Sequence, residues 1–133
     1  MSRHVVVQFN RMPAIADAMR AEASRVVRET AFTIEADIKT QMTAGKSGRT
    51  YGDHVASAPG EAPAVDTGAL INSIQTDAKP MSLTATVYTP MDYAPHLEYG
   101  TVHMAARPSF TPAAERARAP FVARMRAMLG QLR

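Results

Sequence analysis

Cysteine and tryptophan are absent from this 133-residue chain, and only 6% of its residues are aromatic. Without cysteine there is no disulfide framework and no thiolate metal centre, and folding in a reducing cytoplasm costs the protein nothing. With so few aromatic side chains, the core has to be built from Ala, Val, Ile, Leu and Met. A chain of this length buries only about two-thirds of the surface that its unfolded form exposes. Burial against partner subunits is therefore an expected source of extra stability. Long apolar runs are missing too. No stretch approaches the roughly 20 apolar residues of a membrane span, and the first ten residues lack the apolar run and cleavage site of a secretory signal. A soluble single domain with no membrane partner is the expectation.

Charge of one sign is also scarce. The net charge is +3 and the sequence pI is about 9.6, a small excess carried mostly by arginine. Between Arg20 and Asp37 arginines and carboxylates are interleaved, the pattern of an ion-paired surface. Residues 116–133, with only Glu115 beside them, form the one basic stretch that could track nucleic-acid phosphates. Apart from Phe121 it has no aromatic residue for base stacking.

What is present reads as follows along the chain. Residues 4–9, opening with His4 and three valines and closing at Phe9, have the β-branched and aromatic character of a short strand bounded by Asn10. From Arg11 to about Thr43, Ile15, Met19, Ala23, Val26, Val27, Ile34, Ile38 and Met42 recur three or four apart, which predicts one long helix with Asn10 as cap and Pro13 in its first turn. Unbroken, it would span about 50 Å at 1.5 Å per residue, more than a small domain needs. A kink near residues 29–33 is the alternative.

Residues 44–65 are rich in Gly, Pro and small polar residues without apolar periodicity. They predict a long flexible arm, able to order on a neighbouring subunit through Tyr51, His54 and Val55. Asp66 or Thr67 then caps a short helix with Leu70, Ile71 and Ile74. Residues 75–79 and 83–89 predict a hairpin that joins the N-terminal strand in a three-stranded sheet. Residues 93–99 form a turn or helical turn opened by Pro95 and stopped by Gly100, and residues 102–109 are irregular. A last helix starts with Thr111 as cap and Pro112 at its first position. Pro120 should kink or restart it, after which Phe121, Val122, Met125, Met128, Leu129 and Leu132 make an apolar face with Arg124 and Arg126 off it. The fold class is α+β: long N-terminal and C-terminal helices packed on a small, mainly antiparallel sheet, with a long arm.

Nothing in these residues calls for catalysis. Gly45-Lys46-Ser47 resembles the end of a phosphate-binding loop, but the first glycine of that motif would fall on Thr40, and the segment follows a helix instead of a strand. His96, Glu98 and His103 are the only clustered metal-capable side chains, at a spacing that matches no zinc pattern. No Gly-x-Ser-x-Gly elbow exists, and Glu35 and Asp37, two apart on the long helix, do not face each other. The chain is expected to be no enzyme and to need no cofactor or metal.

Three motifs in a fixed order carry a resemblance. They are Val65-Asp66-Thr67-Gly68-Ala69-Leu70 with Asn72-Ser73-Ile74; Tyr93-Ala94-Pro95-His96-Leu97-Glu98-Tyr99-Gly100-Thr101; and Ala106-Arg107-Pro108 with Pro112-Ala113. Together with the proline-rich approach at residues 57–63, they resemble the head-to-tail joining, neck or tail-completion proteins of long-tailed bacteriophages. Ile71, where relatives often carry a polar residue, and Ser109, where a large apolar one is common, depart from the pattern.

The resemblance implies a structural subunit of the virion, assembled in the bacterial host cytoplasm. Copies of it would form a ring, by analogy a hexamer, at the head–tail junction. Head-connector proteins would lie on one side, tail-terminator or tail-tube proteins on the other, and packaged DNA would pass through without sequence-specific binding. Tyr93, Pro95, Leu97, Tyr99 and Arg107, with Leu70 and the arm residues Tyr51, His54 and Val55, are the interface candidates. The alternative from another class is a small basic nucleic-acid-binding protein that uses residues 116–133.

Overall fold

A 32-residue helix, α1 (Met12–Thr43), is the longest element among the described residues, and the last helix and the second strand pair pack along it. The structure, a computed structural model, describes residues 12–48, 50–52, 54–63 and 68–130. The strand expected at residues 4–9, its cap Asn10, the caps Asp66 and Thr67, and Leu132 lie outside the described residues. The helix is continuous through residues 29–33. Its buried positions Ala23, Val26, Ala31, Ile38 and Met42 fall on one stripe, as the 3.6-residue period requires. Ile15, expected on that stripe, is exposed instead.

The other elements follow in order: β1 (Thr50–Tyr51), β2 (His54–Val55), α2 (Ala69–Ser73), β3 (Gln75–Asp77), β4 (Thr86–Tyr88), α3 (Ala94–Tyr99) and α4 (Phe110–Gly130). The strands make two separate antiparallel pairs, β1 with β2 and β3 with β4. In the second pair Gln75 faces Tyr88 and Asp77 faces Thr86. Both strands are shorter than their β-branched composition predicts. The connection between them contains Pro80 and Met81, and Met81 sits at φ 63, a left-handed conformation that cannot continue a ladder.

α4 lies antiparallel to α1. Arg116 pairs with Asp37 at 2.8 Å, and eight residues further on Arg124 pairs with Glu29, eight residues earlier on α1. Arg124 thus faces α1, contrary to the apolar-face reading of α4, while Val122 and Leu129 on that predicted face are exposed. α4 also continues through Pro120 as one helix. It does not restart there. The proline removes one backbone donor, and the packing of α4 along α1 carries the helix across the gap.

Ile38, Met42, Ile74 and Ala113 form the centre of the core, with Ile34, Leu70, Ile71, Val87 and Phe110 packed around it. Among the described residues, fully buried large side chains are few. Ser24, also on the buried stripe, is 1% exposed, and its hydroxyl oxygen has no hydrogen-bond partner.

The segment expected to be an arm has more internal order than its composition suggests. Residues 50–55 hold the β1–β2 pair, and Ser57 and Ala62 are buried. The Glu61 carboxylate accepts the amides of Ser47 (3.2 Å) and Ala58 (3.0 Å) and the Ser47 hydroxyl. Those bonds, with the Ser47 hydroxyl first, hold the Glu61 carboxyl below its ordinary value. The Gly48 amide donates to the Ala56 carbonyl at 2.9 Å, closing the base of the loop. Local polar bonds do here what apolar periodicity does elsewhere, so the order leaves no periodic trace in the sequence.

Candidate functional site

The residues of the second and third motifs meet at one junction, where α3 turns into α4, and the proline-rich approach joins them there. α3 begins at Tyr93, has Pro95 in its first turn and ends at Gly100, whose amide donates to the His96 carbonyl at 2.8 Å. Gly100 stands at φ 78 and ψ 174, a region that only glycine occupies without strain. A Cβ there would meet the Ala106 nitrogen and the Met104 oxygen at 2.9 Å each. That close approach lets the chain double back through the Thr101–Met104 bridge and return antiparallel to α3. The Arg107 amide then donates to the Leu97 carbonyl at 2.6 Å.

Glu98 sits at the centre of this junction. Its Oε1 accepts the amides of Ser109 (3.0 Å) and Phe110 (2.9 Å), and its Oε2 accepts the amide of Thr111 at 3.0 Å. These are the amides at the start of α4, which have no partner within the helix. The next residue is Pro112, which has no N–H, and the Ala113 amide then makes the first helical bond, to the Ser109 carbonyl. Every donor of the first turn is accounted for. This corrects the expected start: Thr111 is not the cap and Pro112 is not the first helical residue, because a carboxylate from α3 caps the helix two residues earlier. Burial works most strongly against the charge on Glu98, but the three amides together outweigh it and hold the carboxyl below its ordinary value.

Arg107 ties the same junction to the glycine-rich segment. Its Nε donates to the Ser57 carbonyl at 3.3 Å and its Nη1 to the Ala105 carbonyl at 3.1 Å. The Gly60 amide donates to the Ala106 carbonyl at 2.9 Å. The proline-rich approach and the last motif, 50 residues apart in sequence, are therefore neighbours in space.

Of the interface candidates, Leu97 and Arg107 are half-buried within this junction, and Leu70 packs on the core. Tyr93 and Pro95 are exposed at the start of α3, and Tyr99 is 78% exposed at its end. Tyr51 and Val55 are exposed on the β1–β2 pair, with His54 half-buried beside them. Sequence reasoning missed Val102, which is 98% exposed in the 101–104 turn. Its only signal was an apolar residue two after a helix-stopping glycine.

A second feature has no counterpart in the sequence reading. An apolar groove of about 720 Å³ runs between α1, α4 and the segment leading into β4. Val27, Ala31 and Ile34 form its floor, Leu83 one wall, and Phe110 and Phe121 the other. Arg118 and Glu115 stand at the α4 side.

The chemistry weighed from sequence finds other employment. Lys46 donates to the Gln41 carbonyl, and Ser47 is held by Glu61, so these two side chains serve the loop itself. Burial lowers the Lys46 pKa, with Glu61 pulling the other way. Both oxygens of Glu98 are taken by amides, and no group of three or more metal-capable side chains occurs among the described residues. In the basic stretch, Arg116 and Arg124 are neutralised across the helix pair by Asp37 and Glu29. No helix among the described residues is long and apolar enough to cross a membrane. Compared with protein-family models, with curated proteins and with solved structures, the chain has no match.

Proposed function

We propose that this chain is a structural subunit of a phage neck or tail-completion ring, surrounding the DNA path and linking the head connector to the tail. One observation carries the reading. Residues of the second and third motifs and of the proline-rich approach converge on a single hydrogen-bonded junction, and that junction presents Tyr99 and Val102 to solvent. Half-buried members of the motifs, Glu98, Gly100 and Arg107, hold the backbone in place. Exposed members display apolar surface that a monomer gains nothing by displaying. A rigid scaffold under an apolar tip suits an interface anchor, since little ordering entropy is lost when it docks.

The small core supports the same reading. A chain with few fully buried large side chains gains most from burial between subunits, and a closed cyclic assembly provides it to every copy.

The test is size-exclusion chromatography with light scattering on the wild type and on a Tyr93→Ala/Tyr99→Ala variant. The wild type should elute as a discrete oligomer, and the variant as a smaller species with an unchanged helical circular-dichroism spectrum. A wild type that is monomeric at all concentrations, alone and with tail proteins, would overturn the ring. A variant that unfolds would return both tyrosines to a purely structural role.

A further inference from the structure

We infer that subunit contact through the exposed face of α3 is controlled by protonation of His96 and His103, holding when both imidazoles are neutral and releasing in mild acid; this deepens the ring reading and rests on it. Spacing gives the first reason. Tyr93 opens α3, His96 follows three residues later, and Tyr99 ends the helix three residues after that. Residues three apart are neighbours on one helix face, so His96 stands between the two tyrosines. All three are exposed. A partner surface that covers both tyrosines therefore covers His96 as well.

His103 enters by the turn that follows. The Thr101–Met104 bridge leaves only Val102 and His103 between its ends, and both are exposed. Burying Val102 against a partner brings the adjacent His103 into the same contact.

The second reason is what surrounds the rings. Among the described residues neither imidazole has a hydrogen-bond or ion-pair partner. Asp92, just before α3, makes no ion pair with His96, and the Glu98 carboxylate is taken by the Ser109, Phe110 and Thr111 amides. On the segment returning along α3, Arg107 donates to the Ser57 and Ala105 carbonyls. Glu61, in the segment bonded to Ala106, accepts from Ser47 and Ala58. On α4, Glu115 borders the groove and Arg116 is paired with Asp37. No carboxylate of the subunit is held against either ring, so nothing there compensates a charged imidazole once water is removed. The neutral ring is the form that docks.

The sign and size follow from linkage. An imidazole in water titrates near pH 6.5. A free subunit then binds more protons than an assembled one, and acid favours release. For each ring covered only in its neutral form, association weakens about tenfold between pH 7.5 and pH 5.5, and about a hundredfold for two. Glu61 and Glu98 are held below their ordinary values, so both stay charged across this window.

Light scattering over a concentration series at pH 7.5 and pH 5.5 tests this, with wild type beside His96→Gln/His103→Gln. The wild-type assembly midpoint should rise about a hundredfold in acid with the helical spectrum unchanged, and the variant should assemble almost equally at both pH values. A wild type that assembles equally or better in acid, or that dissociates only as its helical spectrum is lost, overturns the inference. The ring still stands if Tyr93→Ala/Tyr99→Ala dissociates at pH 7.5. A variant that keeps the acid response puts the proton on another group and also overturns it. If the variant does not assemble at pH 7.5, diethyl pyrocarbonate labelling of the wild type read by mass spectrometry decides: both rings protected only in the assembled fraction support the inference, and equal labelling in both fractions overturns it. If the wild type assembles at neither pH, the ring and its control by protons fall together.

Discussion

Replacing Glu98 by glutamine keeps the shape of the side chain and removes the feature that starts α4. In the wild type, Oε1 serves the Ser109 and Phe110 amides and Oε2 serves the Thr111 amide, all at 2.9–3.0 Å. Glutamine retains one acceptor but sets an NH2 group against the Thr111 amide, donor against donor. One charge-assisted hydrogen bond is lost, worth about 1.5–3 kcal/mol. The favourable position of a negative charge at a helix N-terminus, worth about 0.3–1 kcal/mol, goes with it. A net loss of about 2–3 kcal/mol follows. In a domain of this size that lowers Tm by about 8–12 °C.

The assay is thermal and urea unfolding followed by circular dichroism, at one fixed protein concentration because assembly itself stabilises. Acid gives a second handle. The Glu98 carboxyl is held below its ordinary value, so its contribution is fully present above the unfolded carboxyl pKa of about 4.3 and disappears as pH falls through the lower folded value. The gap between wild type and Glu98→Gln should therefore be full at pH 7 and shrink as the pH is lowered below about 4. A gap under about 0.5 kcal/mol at pH 7, within the range of ordinary surface substitutions, would refute the capping argument. So would a gap that does not narrow in acid.

Two further substitutions test the packing directly. Gly100→Ala places a Cβ at 2.9 Å from two backbone atoms in a backbone region closed to alanine. It should cost at least about 2–3 kcal/mol by urea unfolding, and recovery of wild-type stability would show that the turn has another conformation. Ser24→Ala removes a buried hydroxyl that has no partner and adds helix propensity within α1. It should raise stability by about 0.5–1 kcal/mol, and a loss of that size in the same assay would mean that the hydroxyl is bonded in solution.

α1 was legible from sequence because a helix burying one stripe writes its period into the chain, and the stripe from Ala23 to Met42 is buried as read. α3 was legible because Pro95 and Gly100 act on their own backbone, through a fixed φ and a freely positive one.

The misreadings share one cause. Thr111 looked like a cap because capping is usually local, whereas the acceptor here comes from Glu98, 11 residues earlier in the chain. Arg124 reads only as lying off an apolar face, because Glu29, its partner, is 95 residues away. The order within residues 44–63 rests on Glu61, Ser57 and Arg107, bonded singly and without period. A sequence by itself determines what recurs at a fixed spacing or acts within a turn: here the long helix, the proline and glycine boundaries and the α+β class. Only the tertiary structure decided where a distant carboxylate lands, which arginines are neutralised, and that two helices and a strand leave an apolar groove between them. Those features arise from pairs of residues brought together by the closing of the chain, and neither member of a pair carries a mark of the other.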